Sequence, residues 1–131
     1  MSDKKTDQLT PLELEVMDVL WETGPANVQT VQNGMKRKLA YTTVQTMLNI
    51  LHKKKKVNRT LRERAYFYRP TVSRGQVVKN SVNEIIEKMF GGSAEDLVMN
   101  LVETKHITPE RLAKLHAIIT EHEEKNDGND Q

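Results

Sequence analysis

The sequence predicts a mainly α-helical chain with a small two- to three-stranded β ribbon in its first half. Three observations predict it. Apolar residues recur every three or four positions along most of the chain, the signature of amphipathic helices. The period shortens to two only between Val57 and Arg69, as in half-buried strands. The charge also changes sign along the chain: residues 1–80 carry 15 Lys and Arg against 7 Asp and Glu, whereas residues 81–131 carry 5 against 11. Such asymmetry fits a basic module for a polyanion joined to a module with another task. The length of 131 residues suits one ordinary domain or two small ones. The division expected is 9–70 and 71–122, with flexible tails at 1–8 and 123–131.

The first helix opens at Leu9-Thr10-Pro11. Thr10 is placed as N-cap, Pro11 at the first helical position and Glu13 to complete a capping box, with Leu9 and Leu14 spaced for a hydrophobic staple. Leu12, Val16, Val19 and Leu20 form its apolar stripe. The run "ETGP" (22–25) ends it. Asn27 can cap a second helix whose apolar side is Val28, Val31 and Met35. Gly34 lies inside that helix, where it costs about 1 kcal/mol relative to Ala. A third helix is expected from about Tyr41 to Lys54, with Val44, Met47, Leu48 and Leu51 as its stripe. Two short strands, Val57–Leu61 and Ala65–Arg69, then flank a charged turn of Arg62, Glu63 and Arg64, and Pro70 ends the second.

The remainder reads as helical. Ser73 and Gln76 form a second capping-box pattern, with Val72 and Val77 as its staple. Val78, Val82, Ile85 and Met89 follow, and Gly91 with Gly92 stops the helix. Ser93 caps a short helix bearing Leu97, Val98, Leu101 and Val102. Thr108-Pro109-Glu110 starts a last one with Leu112, Leu115 and Ile119, and the acidic "EHEEKNDGNDQ" is expected to fray.

Three helices followed by a ribbon, in a basic first half, is the order of a winged helix-turn-helix. There the helix after the turn enters the DNA major groove, its N-terminal residues nearest the bases. Setting the third stripe inward leaves Tyr41, Thr42, Thr43, Gln45, Thr46 and Asn49 mostly outward. Hydroxyls can bond phosphate oxygens, and Gln and Asn can pair with adenine edges. Lys53, in the run Lys53–Lys56, and the ribbon arginines Arg59, Arg62, Arg64 and Arg69 add cations. The expected DNA-binding set is therefore Tyr41, Thr42, Thr43, Gln45, Thr46, Asn49, Lys53, Arg62 and Arg64. The same residues would also suit a plain solvated helix, whose C-terminus favours lysine in any case.

The C-terminal helices are too short to bury much by themselves. Pairing with a second copy would cover Val82, Ile85, Met89, Leu97, Leu101, Leu112, Leu115 and Ile119. Each fully buried aliphatic side chain contributes roughly 1.5–3 kcal/mol, so a helical dimerisation domain is expected. Packing back onto the first domain is the alternative.

Several classes are excluded or disfavoured. The chain has no cysteine, hence no disulfide, zinc finger or thiol catalysis. His52, His106, His116 and His122 lack paired metal spacing, and no metal or other cofactor is expected. No nucleophile, base and orienter can be assembled, so no enzyme is read. Trp21 is expected to pack at the end of the first helix. No apolar run approaches the roughly 20 residues of a membrane span, and "MSDKKTDQ" is no secretion signal. The expectation is a cytoplasmic protein without membrane insertion.

The segments "LTPLELEVMDVLWETGP", "LAYTTVQTMLNIL", "RAYFYRPTVSR" and "MFGGSAEDLVMNLVE" together resemble the penicillinase-repressor family, winged-helix regulators of β-lactamase and methicillin-resistance genes. The resemblance runs in family order from about Leu9 to Ile119. It implies a homodimeric repressor of a double-stranded DNA operator, with Tyr41–Leu51 as recognition helix and Val57–Arg69 as wing. It also implies release by proteolytic cutting within the C-terminal domain, the matching bond being Asn100–Leu101, and a membrane-bound metallopeptidase sensor as partner. Leu101 stands where that branch has an aromatic residue. The stretch "HKKKKV" (52–57) departs from the acidic or small residue and Gly common in the family, which leaves the path into the wing open. The cysteine pairs of the copper-responsive branch are absent. Two other readings stand beside the repressor. A protein–protein adaptor on the same frame would want acid on the exposed third helix. A small-molecule-responsive regulator would want an aromatic pocket in the C-terminal half, where Phe90 is the sole aromatic.

Overall fold

A computed structural model describes residues 8–129, with side chains through Asn126. Of the tails expected at 1–8 and 123–131, residues 1–7 and 130–131 lie outside that range. The elements are α1 (Pro11–Thr23), α2 (Val28–Gly34), α3 (Tyr41–Lys53), β1 (Val57–Arg62), β2 (Ala65–Pro70), α4 (Arg74–Met89), α5 (Ala94–Glu103) and α6 (Pro109–Asn129). The fold is thus a winged helix followed by a helical C-terminal part. The chain divides into two compact units after Asn80, inside α4.

In the first unit the apolar stripes converge. Val16, Met17 and Leu20 of α1, Val31 of α2, Val44, Leu48 and Leu51 of α3, Val57 of β1 and Tyr68 of β2 are all buried. Leu12 and Met47, expected in the stripes, are only partly buried against them. Gly34 has a packing reason that periodicity did not show. A Cβ there would sit 2.7 Å from Val19 Cγ1 of α1, so a bare backbone lets α2 approach α1.

Helix ends follow local chemistry. Thr10 and Glu13 form the reciprocal capping box: Thr10 N–H donates to Glu13 Oε1 (3.1 Å) and Glu13 N–H to Thr10 Oγ1 (3.2 Å). Leu9 packs on the core, while Leu14 is exposed. Asn27, Ser73, Ser93 and Thr108 each accept from the backbone N–H three residues on. The second capping box is only half made, because Gln76 Nε2 donates to Asn80 Oδ1 (3.1 Å) instead of turning back.

β1 and β2 pair antiparallel from Val57↔Pro70 to Arg62↔Ala65. The two-residue loop, Glu63 and Arg64, has φ of 48° and 72°. Two central residues at positive φ make a type I′ turn, whose twist matches the strands, here built without Gly or Asn. A third strand is reduced to one residue: Ala26 and Tyr68 exchange both backbone bonds, at 3.0 and 2.8 Å.

Residues 72–74 are held to α1. Trp21 Nε1–H donates to the Val72 carbonyl (2.8 Å), Arg74 pairs with Asp18 (2.9 Å) and its guanidinium lies over the Trp21 ring. These residues lie within the first compact unit.

In the second unit the described residues of α4 and α5 include none that is buried, and every described side chain of α6 is exposed. α6 continues to Asn129. Its Glu, His, Lys and Asn residues tolerate helix, and no proline interrupts them.

Gly34→Ala should destabilise the first unit. Helix propensity favours Ala by up to about 1 kcal/mol, but the Val19 overlap is an overpacking that costs roughly 1–3 kcal/mol. A net loss of about 1 kcal/mol, read as a lower urea midpoint at unchanged slope, is expected.

Candidate nucleic-acid interface

α3 turns its stripe to the core, which leaves the opposite face free. Tyr41, Thr42, Gln45, Thr46 and Asn49 are exposed, and Thr43 is half-buried. The N-terminus of α3 is bare: Ala40 stands at the N-cap and no side chain caps it. Its first N–H groups and the positive end of its dipole are open to an anion. The turn leading to it is braced by Gln32 Nε2, which donates to the Leu39 carbonyl (2.9 Å). That turn carries Lys36, Arg37 and Lys38, all exposed. Sequence reasoning missed these three cations, although their place directly before the third helix was visible.

The lysine run is not one feature. Lys53 is exposed, as a solvent-facing cation should be. Lys54 is turned inward: its Nζ donates to Glu13 Oε1 (2.7 Å) and to the Gln8 carbonyl (2.9 Å). Glu13 is only 4% exposed. Lys55 has φ 64° and closes α3. Its N–H donates to the His52 carbonyl (3.0 Å) and that of Lys56 to the Leu51 carbonyl (2.9 Å), the two bonds of a Schellman motif. Lys55 thus takes the left-handed conformation usually left to Gly, and this resolves the path into the wing. The hairpin's exit is tied to the same place, since Thr71 N–H donates to the Lys56 carbonyl (2.9 Å) and Thr71 Oγ1 to that of Lys55 (2.7 Å).

On the wing the register puts Arg59, Leu61, Tyr66 and Tyr68 on one face and Thr60, Arg62, Phe67 and Arg69 on the other. Arg59 stacks 4.2 Å from the Tyr66 ring centre. Arg62 lies 5.9 Å from that of Phe67, and Arg64 stands at the tip. Both ribbon arginines in the expected set are exposed.

Of the residues expected to pair subunits, Val82, Ile85, Met89, Leu112, Leu115 and Ile119 are exposed, while Leu97 and Leu101 are half-buried. Val98, Met99 and Ile118, not in that set, are exposed as well. Asn100 is exposed inside α5, and its carbonyl accepts from Thr104 N–H (2.9 Å) and Oγ1 (2.7 Å). Among the described residues no group of His, Asp and Glu could hold a metal ion, and no helix is long and apolar enough to cross a membrane.

Similarity to known proteins adds to this geometry. The penicillinase repressor family model matches residues 9–121. The chain belongs to that family. It is 36% identical over 103 residues to the transcriptional regulator BlaI of Mycobacterium tuberculosis, covering 76% of this chain and 75% of that protein. It is 27% identical over 124 residues to the penicillinase repressor of Bacillus licheniformis, covering 93% and 97% respectively. Among solved structures, the YusO protein of Bacillus subtilis superposes with a TM-score of 0.52 at 17% identity, covering 94% of this chain and 80% of that one. This last likeness is one of fold. The family members named here are regulators, and membership places the chain with them rather than with enzymes.

Neighbouring lysines should respond oppositely to substitution. Lys54→Met leaves the Glu13 carboxylate without its cation and should cost about 2 kcal/mol. Lys55→Gly relieves the left-handed conformation and should gain about 0.5–1 kcal/mol after the added backbone entropy. Thermal melts of the two variants check the contrast.

Proposed function

We propose that this chain is a dimeric transcriptional repressor that binds an inverted-repeat operator in double-stranded DNA through α3 and the wing. The observation that carries the reading is the outward row of α3: Tyr41, Thr42, Gln45, Thr46 and Asn49 beside a bare helix N-terminus, in a chain that belongs to the penicillinase repressor family. Thr43 contributes from the half-buried edge of that row. Hydroxyl, amide and backbone N–H groups together suit a groove lined by base edges and phosphates. Lys53, Arg62 and Arg64 supply sequence-independent attraction. The absence of acid from the exposed face of α3 speaks for a polyanion over an adaptor's partner.

Homodimerisation is part of the proposal. Its support is the apolar surface of α4, α5 and α6, where Met89 is 78% exposed and Ile118 60%. Exposed stripes of this kind mark interaction surfaces, and a two-fold pair matches a palindromic operator. Release by cutting at Asn100–Leu101, by a membrane-bound metallopeptidase sensor, is proposed from the family resemblance. The bond lies in the helical interior of α5, so a protease that reads an extended strand must first unwind the turn that Thr104 closes. Cutting would separate the winged helix from Leu101, Leu112, Leu115 and Ile119. A monomer holding one half-site loses the avidity gained by linking two, typically about 10²–10⁴-fold.

Electrophoretic shifts on the chain's own upstream promoter should show selective binding to half-sites about one helical turn apart, or a multiple; equal affinity for random DNA at physiological salt refutes the reading. Arg62→Ala with Arg64→Ala should weaken binding to all DNA and flatten the salt dependence by about 0.9 for each phosphate that is no longer neutralised. Thr46→Ala should cost affinity mainly at the operator, by about 1–3 kcal/mol where a bond to a base edge is removed. Leu115→Asp should give monomers in sedimentation with the winged helix still folded, because an unpaired carboxylate resists burial in the interface.

A further inference from the structure

The turn before α3 holds one ion pair that neither core packing nor capping requires. Arg37 Nε donates to Glu15 Oε1 (3.2 Å), and its Nη2 pairs with Glu15 Oε2. The fork joins α1 to the turn, three residues before the bare N-cap Ala40. Its partners are open to solvent, with side chains 58% and 36% exposed. Such exposed pairs contribute little to stability, so the fork is free to change partners. Lys36 and Lys38, on either side of Arg37, are exposed. A phosphate arriving at the N-terminus of α3 would therefore meet helix N–H groups and a turn of three cations, one already engaged by a carboxylate. A guanidinium fork fits a phosphate as it fits a carboxylate, by two parallel bonds.

We propose that Arg37 is a phosphate ligand for duplex DNA and that Glu15 is its internal competitor, holding the guanidinium until a backbone phosphate displaces the carboxylate. The inference rests on the DNA-binding reading above. The carboxylate serves as a stand-in for phosphate: it keeps the fork in one geometry and reduces the sequence-independent part of DNA binding. A guanidinium is a cation with either partner; while the pair holds, the hydrogen bond and charge of Glu15 raise the pKa of Arg37 further. After exchange the freed carboxylate stands near DNA and repels it. Removing the charge on Glu15 thus raises affinity twice over, by freeing Arg37 and by ending that repulsion.

The test uses the full chain and a random-sequence duplex of roughly three helical turns, titrated by fluorescence anisotropy between about 50 and 200 mM salt. Glu15→Gln should bind about fivefold tighter than wild type, the scale of one surface charge pair in water. Its salt dependence should steepen by up to about 0.9, the equivalent of one further neutralised phosphate. Arg37→Ala should bind more weakly with a shallower slope, and adding Glu15→Gln to it should recover only the part due to ended repulsion, clearly less than the roughly fivefold gain with Arg37 present. Thermal melts of the three variants establish that each is folded. An ion pair that only braces the turn gives the opposite result: Glu15→Gln binds no tighter and keeps the wild-type slope, and the inference falls. It falls equally if Glu15→Gln tightens binding to the same extent with and without Arg37, which is a general charge effect. Wild type that fails to bind the duplex even at the lowest salt overturns the DNA-binding reading itself.

Discussion

Glu13 and Lys54 meet at 2.7 Å where the start of α1 reaches the end of α3. Their side chains are 5% and 16% exposed, so little water screens them. The same carboxylate oxygen accepts the Thr10 N–H, and the same ammonium donates to the Gln8 carbonyl. One small network thus caps α1, anchors the segment before it and sets where α3 must stop. Breaking such a pair costs far more than forming it stabilises, because the survivor is left charged and poorly solvated. Its value is geometric. α3 cannot slide along α1 without stranding Glu13, so the outward row from Tyr41 to Asn49 is presented at a defined height above the core.

The bends that follow are made by charged residues where glycine would be the relaxed choice. Lys55 turns the chain out of α3, and Glu63 with Arg64 turns β1 into β2, all at positive φ. Each such residue carries a strain of roughly 1–2 kcal/mol relative to Gly. Surrounding structure over-determines them: the Schellman bonds and Thr71 fix Lys55, and the register from Val57↔Pro70 to Arg62↔Ala65 fixes the tip. Strain of this kind persists where a side chain is needed at the bend. On the proposed function Arg64 is needed at the wing tip, since a glycine there would relax the turn and remove a cation that faces the duplex.

Periodicity and capping chemistry carried most of the fold, because both are local. The Thr10–Glu13 box, the Asn27 and Ser93 caps and the period-two ribbon depend on residues a few positions apart. What stayed hidden depends on residues far apart in sequence. Lys54 read as one of four equivalent lysines, and only the pairing with Glu13, 41 residues away, tells it from Lys53. Gly34 read as a weakness in a helix until Val19 appeared against it. The Glu15–Arg37 fork spans 22 residues and left no local trace. The I′ turn was illegible for another reason, as the residues that normally announce it, Asn and Gly, are absent from its loop. The exposed row of α3 was legible because burying a helical stripe dictates its complement.

The two units divide the physical labour unequally. The first owns every buried hydrophobic residue among those described, from Val16 to Tyr68. The second offers stripes, Val82 to Met89 in α4, Leu97 and Leu101 in α5, and Leu112 to Ile119 in α6, none of them buried within one chain. Helices without a core gain most of their stability from what covers them. On the proposed function the cover is a second copy, so order in the C-terminal part and possession of two DNA-binding surfaces become one event. A dimer interface built this way acts as a threshold. Any process that thins the stripe lowers operator affinity through reduced avidity, while α3 and its outward row remain as they were. Control by subunit count therefore needs no change at the DNA-facing surface, and the strained bends and the Glu13–Lys54 anchor there are left undisturbed.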